Sequence, residues 1–323
     1  MMESRNSEQK PNTFALRCCL LILVLSLNGC GGDDPKHVPI NTGSGWSDSP
    51  FISRDGQRLY FMYSRYNFGP WIQSGGTLLP VASGPDRPGL NISDTNPFDE
   101  SDIYMATKNP DGTWAEAVNL GLNGAFGDSS GMEINNGNTF IWLHGNGSSN
   151  NIVMANKNPN GTWGAPIDLS ASINDPAFVQ DNPHISSDGL ALWFTSNRPG
   201  PAAGKDIWFS SKASGNWSTP VNSGAPINTA GDEDQLWIDP VSQLEVYWNG
   251  PAGIMHCTSD GTNCTAPPTV VTIPGCGYAA EVSMPDDGKT MYFACADLAT
   301  FMVRIMYSTK QPDGSWGFAT PVD

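Results

Sequence analysis

DNPHISSDGLALWFTSNRPG at 181–200 and KDIWFSSKASGNWSTPV at 205–221 together decide the fold. An alternating apolar run leads into Asp188-Gly189, and an aliphatic and aromatic run leads out of it. A third run opens at Asp206 and turns through Ser214-Gly215 into a fourth. Alternation with a period of two, interrupted by glycine turns, predicts four short antiparallel strands. No window holds the 3.6-residue apolar period of a helix over ten residues or more, which excludes a helical solenoid.

The cassette recurs on both sides of this stretch. DSPFISRDGQRLYFMYSR (48–65) pairs with SDIYMATKNPDGTWAEAVNLG (101–121), and MEINNGNTFIWLHG (132–145) with NIVMANKNPNGTWGAPIDL (151–169). Downstream come DQLWIDPVSQLEVYWNG (234–250) with IMHCTSDGTNCTAPPTVV (254–271), then AAEVSMPDDGKTMYFAC (279–295) with RIMYSTKQPDGSWGFATPV (304–322). Four-stranded units of roughly 45 to 50 residues repeated in series are the signature of a propeller. Five copies fit, so the expected fold is all-β, a five-bladed β-propeller over 48–323. The fourth copy departs most, having lost both the Asp-Gly turn and the terminal Trp.

The residues ISRDGQRLYF, ISSDGLALWF and MPDDGKTMYF, the TSNRPG motif at 195–200, SDIY and KDIW, and the NPDGTW, NPNGTW and QPDGSW turns resemble the WD40-like (PD40) propeller repeat of TolB-type proteins and many bacterial envelope lipoproteins. The resemblance covers nearly all of 48–323. It implies the fold and leaves function open, because such repeats serve in scaffolds, receptors and enzymes alike.

Arg5, Lys10 and Arg17 precede the apolar run Cys18–Leu27, after which comes Leu27-Asn28-Gly29-Cys30. A run this short is too brief for a spanning helix and reads as a signal h-region. The segment resembles the bacterial lipobox, which implies a signal peptide over 1–29 and lipidation of Cys30. Gly31 after the cysteine implies, by the same resemblance, export to the outer membrane. Residues 30–47 then read as the lipidated Cys and a polar tether. The membrane would be reached through the lipid alone.

The net charge of −16 excludes nucleic acid as a partner on electrostatic grounds and leaves glycans, cations or proteins. Beyond the leader, Cys257, Cys264, Cys276 and Cys295 suit two disulfides in an oxidising compartment. Cys257 and Cys264 flank a turn and could pair across it, leaving Cys276 with Cys295; three connectivities remain formally open.

In a blade of four antiparallel strands, the links between blades and the loops joining second to third strands share an upper face. The Asp-Gly hairpins and Trp turns lie below. In the first copy the upper loop, 66–100, is long enough to read as functional, with Tyr66, Phe68, Trp71 and Arg87 as a lid or contact surface. Eight residues before each hairpin glycine or its equivalent stand Asp48, Ser129 beside Asp128, Asp181, Asp234, and Ala280 beside Glu281. Three readings compete for these acids. They cap the backbone of blade links; or Asp48, Asp181, Asp234 and Glu281 bind a cation such as calcium; or they hydrolyse a glycosidic bond, with Asp48 or Asp181 as base and Glu281 or Glu133 as acid. Family 43 and family 32 glycosidases carry such a set in a five-bladed propeller, but the local motifs of those enzymes are not recognisable here. His144, His184 and His256 fall in separate copies and read as strand or core histidines. The resulting expectation is an envelope-anchored, non-catalytic propeller that binds a protein or glycan partner through its upper face, with a glycoside hydrolase as the alternative.

Overall fold

The computed structural model describes residues 39–323 except 94–95, 123, 125, 146–149, 201–203 and 262; the leader and Cys30 lie outside the described residues. No helix among the described residues is long and apolar enough to cross a membrane.

Five antiparallel sheets follow one another along the chain, four of them four-stranded and that of blade 3 with its outermost strand in two short pieces. Blade 1 comprises Trp46–Ile52, Arg58–Ser64, Asp102–Thr107 and Val118–Asn119. Blade 2 comprises Asp128–Ile134, Thr139–Gly145, Asn150–Asn156 and Ile167–Asp168. Blade 3 comprises Gln180–Ile185, Ala191–Ser196 and Asp206–Ala213, with the short strands Asn216–Trp217 and Val221–Asn222 both paired to the third. Blade 4 comprises Asp234–Ile238, Glu245–Gly250, Gly253–Thr258 and Thr269–Val270, and blade 5 comprises Tyr278–Ser283, Thr290–Ala296, Val303–Thr309 and Thr320–Pro321. The first strands of successive blades touch one another, and that of blade 5 touches that of blade 1. The expected five-bladed propeller is therefore the fold.

Each seam between neighbouring blades holds one apolar cluster, as when Tyr60 and Ile103 of blade 1 meet Phe140 and Trp142 of blade 2. Burying these faces is the main force holding the ring. Into four of the seams a tryptophan reaches from the turn after the third strand: Trp114, Trp163, Trp217 and Trp316. A lysine rides on each ring, at 5.5 Å for Lys108, 4.9 Å for Lys157, 5.4 Å for Lys212 and 5.8 Å for Lys310. In blade 4 the same bridge joins Ser259 to Cys264. Cys264 is disulfide-bonded to Cys257, and Cys276 to Cys295, the pairing expected from the turn between the first two.

Among the described residues no strand is exchanged between the first and last blades, and an asparagine clamp joins them. Within the ring, Asn174 Nδ2 donates to the Ile152 carbonyl and its Oδ1 accepts from the Ile152 N–H, both at 2.8 Å, and Asn228 does the same to Ile207. Asn41 repeats this on Ile305 of blade 5 and also donates to the Val322 carbonyl. Ile40 is buried beside it. Of the residues expected in the tether, 39–45 thus form the link from blade 5 to blade 1, and Trp46 and Ser47 open the first strand of blade 1.

Candidate functional site

Every innermost strand carries a bulge at one place, between Asp48 and Phe51, Ser129 and Met132, Asp181 and His184, Asp234 and Leu236, and Ala280 and Ser283. The residue inside it has positive φ in all five: Ser49, Ser130, Asn182, Gln235 and Glu281, at 38° to 60°. A bulge turns a side chain off the regular alternation, and these five line the central channel. The Ser49 and Ser130 hydroxyls are 3.5 Å apart, the Ser130 hydroxyl donates to Asn182 Oδ1, and Asn182 Nδ2 donates to Asp234 Oδ1 at 2.6 Å. The Ser49 N–H donates to Glu281 Oε2 at 2.7 Å.

The acids singled out in the sequence therefore belong to three neighbouring rows. Asp48, Asp181 and Asp234 share one row, and Glu281 stands in the bulge row beside it. Asp48 accepts from Trp46 Nε1 at 2.5 Å and from the Ser49 hydroxyl at 3.2 Å. Asp181 accepts from the Asn182 N–H at 2.9 Å and lies 3.6 Å from Lys205 Nζ. Asp234 accepts from the Thr195 hydroxyl at 2.6 Å and from the Gln235 N–H at 2.8 Å.

These groups are half-buried and feel one another. Burial pushes Asp48 up to about 6, against the hydrogen bonds of Trp46 and Ser49. Burial and then the charge of Asp234 push Asp181 up to about 6, opposed by Lys205. Burial and then Asp48 raise Glu281 well above the usual carboxylate range, with the Ser49 N–H pulling the other way. Like charges gathered out of bulk water resist ionising together.

Three candidates lie elsewhere. Asp128, one residue before the row, is fully buried and accepts from Trp142 Nε1 at 2.9 Å, the Gly124 N–H at 3.1 Å and His144 Nδ1 at 2.5 Å. It ties a blade link rather than facing the channel, as do its row-mates Ser47, Gln180 and Glu233 on Ile40, Asp175 and Thr229. Glu133 is buried on the lower side and bonded to Arg58 Nε at 2.9 Å, Arg58 Nη2 at 2.8 Å and the Tyr60 hydroxyl at 2.5 Å. It clasps blade 1 to blade 2 and is too fully engaged to serve as the acid partner of Asp48 or Asp181. Arg87 is only 4% exposed; its guanidinium lies 3.6 Å from the Tyr63 ring centroid and donates to the Pro39 carbonyl at 2.7 Å. Aromatic stacking withdraws it from the contact surface expected of it. Arg198, in the other Arg-Pro-Gly motif, does the same over Phe194 and on the carbonyls of Ser172 and Ile173.

The remaining insertion residues form a ladder of edge-on and tilted rings. Trp71 meets Phe98 at 5.3 Å, Phe98 meets Phe68 at 5.7 Å, and Phe68 meets Trp46 at 5.6 Å, next to Asp48. Trp71 and Phe98 are 36% and 42% exposed. Tyr66 lies alongside, its hydroxyl donating to the Ser93 carbonyl. Phe98, Trp46 and Lys205 were not foreseen in the sequence; the lysine that opens KDIW, where the first copy has the serine of SDIY, was the one available signal for Lys205. Among the described residues no three His, Cys, Asp or Glu side chains converge closely enough to hold a metal ion, the calcium candidates Asp48, Asp181, Asp234 and Glu281 included. A cavity of about 1070 Å3 lies at the opposite, lower face, away from these carboxylates.

No protein-family model matches the chain, and no curated protein matches it in sequence. Among solved structures, a putative TolB from Agrobacterium tumefaciens is similar over 86% of this chain and 83% of its own, at 14% identity and a TM-score of 0.46. The RS223 β-xylosidase is similar over 87% and 99% at 12% identity and a TM-score of 0.48, and a periplasmic gluconolactonase of Pseudomonas aeruginosa over 88% of each chain at 9% and 0.43. These likenesses are too distant to carry function, and the blade count rests on the sheet pairing given above.

Proposed function

We propose that this protein is a binding module of the bacterial cell envelope, held by a lipid on Cys30 at the outer membrane, that takes a glycan or protein partner at its upper face without chemically altering it. The observation that carries this reading is the aromatic ladder from exposed Trp71 to Trp46, which ends at the carboxylates of the channel mouth. Flat apolar rings beside charge-bearing acceptors suit a sugar, whose C–H face stacks and whose hydroxyls donate. The funnel acids support binding rather than turnover, since each already accepts a hydrogen bond from the bulges or the polar ring. The leader sequence and the two disulfides support an oxidising compartment.

Glycan-array retention of residues 31–323 tests this. Wild type should be retained, and Trp71→Ala and Asp48→Asn should each lose most of the signal; retention unchanged in both variants refutes the reading. A hydrolytic reading is favoured by one observation, the raised carboxyls of Asp48, Asp181 and Glu281 in a single funnel. Polysaccharide turnover by the wild type that vanishes in Asp181→Ala and Glu281→Gln would replace binding with catalysis.

A further inference from the structure

The seam tryptophans Trp114, Trp163, Trp217 and Trp316 occupy one position in four blades, each beneath a lysine. Two residues before each lysine is a small side chain, Ala106, Ala155, Ser210 or Ser308. Blade 4 has Cys264 at the tryptophan position, Ser259 at the lysine position and Cys257 at the small one, with the two cysteines bonded to each other. A cystine fills far less of a seam than an indole.

The lower mouth of the channel is a cavity of about 1070 Å3 lined by residues of all five blades, and one side of it reaches Trp193 of blade 3 and Ile238, Leu244, Val246, Ser259 and Gly261 of blade 4. Small-ligand sites run to roughly 300–1,000 Å3. Trp193 follows its hairpin glycine, Gly189, by four residues, as Tyr292 follows Gly288. Trp114 covers Tyr292 edge-on at 6.1 Å and leaves it 4% exposed. No indole covers Trp193, which is only half-buried.

The charge is also one-sided. Asp188 and Asp239 stand on the cavity wall, each accepting only from its own turn, at Leu190 N and Val241 N among others. The two guanidiniums lining the same cavity are committed, Arg54 to Asp286 and Arg58 to Glu133. Where the other blades lay a lysine over the ring, Ser259 brings no cation. A ligand that supplies both the missing ring and the missing charge would complete the seam as the other four are completed.

We propose that the seam between blades 3 and 4 is a binding site for a planar aromatic group carrying positive charge, either a free aromatic amine or an aromatic residue beside a lysine or arginine in a peptide. The site is on the face opposite the carboxylate funnel, so it stands or falls independently of that funnel. Calorimetric titration of residues 31–323 with tryptamine, with indole-3-propionate and with the tripeptide Lys-Trp-Lys tests it. Tryptamine and the tripeptide should bind saturably, and the indole anion at least about 10-fold more weakly. A tripeptide much tighter than tryptamine identifies a peptide as the source, and equal affinity identifies the free amine.

Trp193→Leu, which leaves the disulfide intact, should weaken tryptamine binding by about 3- to 10-fold, the worth of one aromatic pair. The triple variant Cys257→Ala, Ser259→Lys, Cys264→Trp rebuilds blade 4 on the pattern of blades 1 and 2 and should abolish binding. Asp48→Asn should leave it unchanged. Absence of saturable binding by either cation at millimolar concentration overturns the proposal, as does binding undiminished by Trp193→Leu.

Discussion

Asn41 holds the backbone of Ile305 through both atoms of its amide, across 264 positions of sequence, with its Nδ2 donating to the carbonyl and its Oδ1 accepting from the N–H, each at 2.8 Å. With the bond to the Val322 carbonyl, three hydrogen bonds join the start of the chain's fold to its end. At about 0.5–1.5 kcal/mol each, Asn41→Ala should lose roughly 2–4 kcal/mol of stability. Urea denaturation measures this, and an unchanged midpoint would show that the ring closes by other means.

Asp102, fully buried, is pushed up to about 7, chiefly by burial, while the Asn91 N–H at 2.7 Å pulls it down. One of its oxygens, Oδ1, has no hydrogen-bond partner. A carboxyl whose folded value lies above its unfolded one favours folding below pH 3.8 and loses that contribution as pH rises to about 7. Asp102→Asn should flatten this part of the stability profile and be more stable than wild type at pH 8. Melting temperatures of the two proteins from pH 4 to 8 decide the matter; parallel curves would count against the assignment.

Burial pushes Asp48 and Asp181 each up to about 6, so the channel mouth should gain negative charge between pH 5 and 7. Partner retention that depends on charged acceptors should fall as pH drops to 5. The double variant Asp48→Asn, Asp181→Asn should bind weakly with no slope across this range. A wild-type profile that is flat, or that rises toward acid pH, contradicts the role given to these two groups.

Glu133 separates the structural role from the catalytic one considered for it. Its removal strands Arg58 and the Tyr60 hydroxyl, and Glu133→Ala should cost about 2–3 kcal/mol, below the fully buried case because the Arg58 side chain is 26% exposed. Thermal unfolding reads the cost directly. Full stability with a lost activity would return Glu133 to the active-site candidates.

The fold was legible because its determinants are local. Asp188-Gly189 and Asp287-Gly288 name their own hairpins, and alternation over six or seven residues names each strand. The site was less legible because the bulges break that alternation. A period of two carried through Ala280 puts Glu281 on the wrong side, whereas the left-handed turn at Glu281 presents it to the channel. Asp128 and Asp48 look alike as acids entering an inner strand, yet one position separates a buried link from the channel mouth. Arg87 resembles a surface cation until its place over Tyr63 is known, and the closure by Asn41 depends on a partner at the far end of the chain.

Because all four strands of every blade come from one continuous stretch, the blade is also a natural unit of inheritance. A copied or deleted segment that begins and ends in a link changes the ring by one whole wedge and leaves every other hairpin intact. New chemistry can then enter one wedge at a time while its siblings hold the circle together. Blade 4, with a cystine where its siblings keep lysine and tryptophan, has the composition of a wedge that has already diverged in this way.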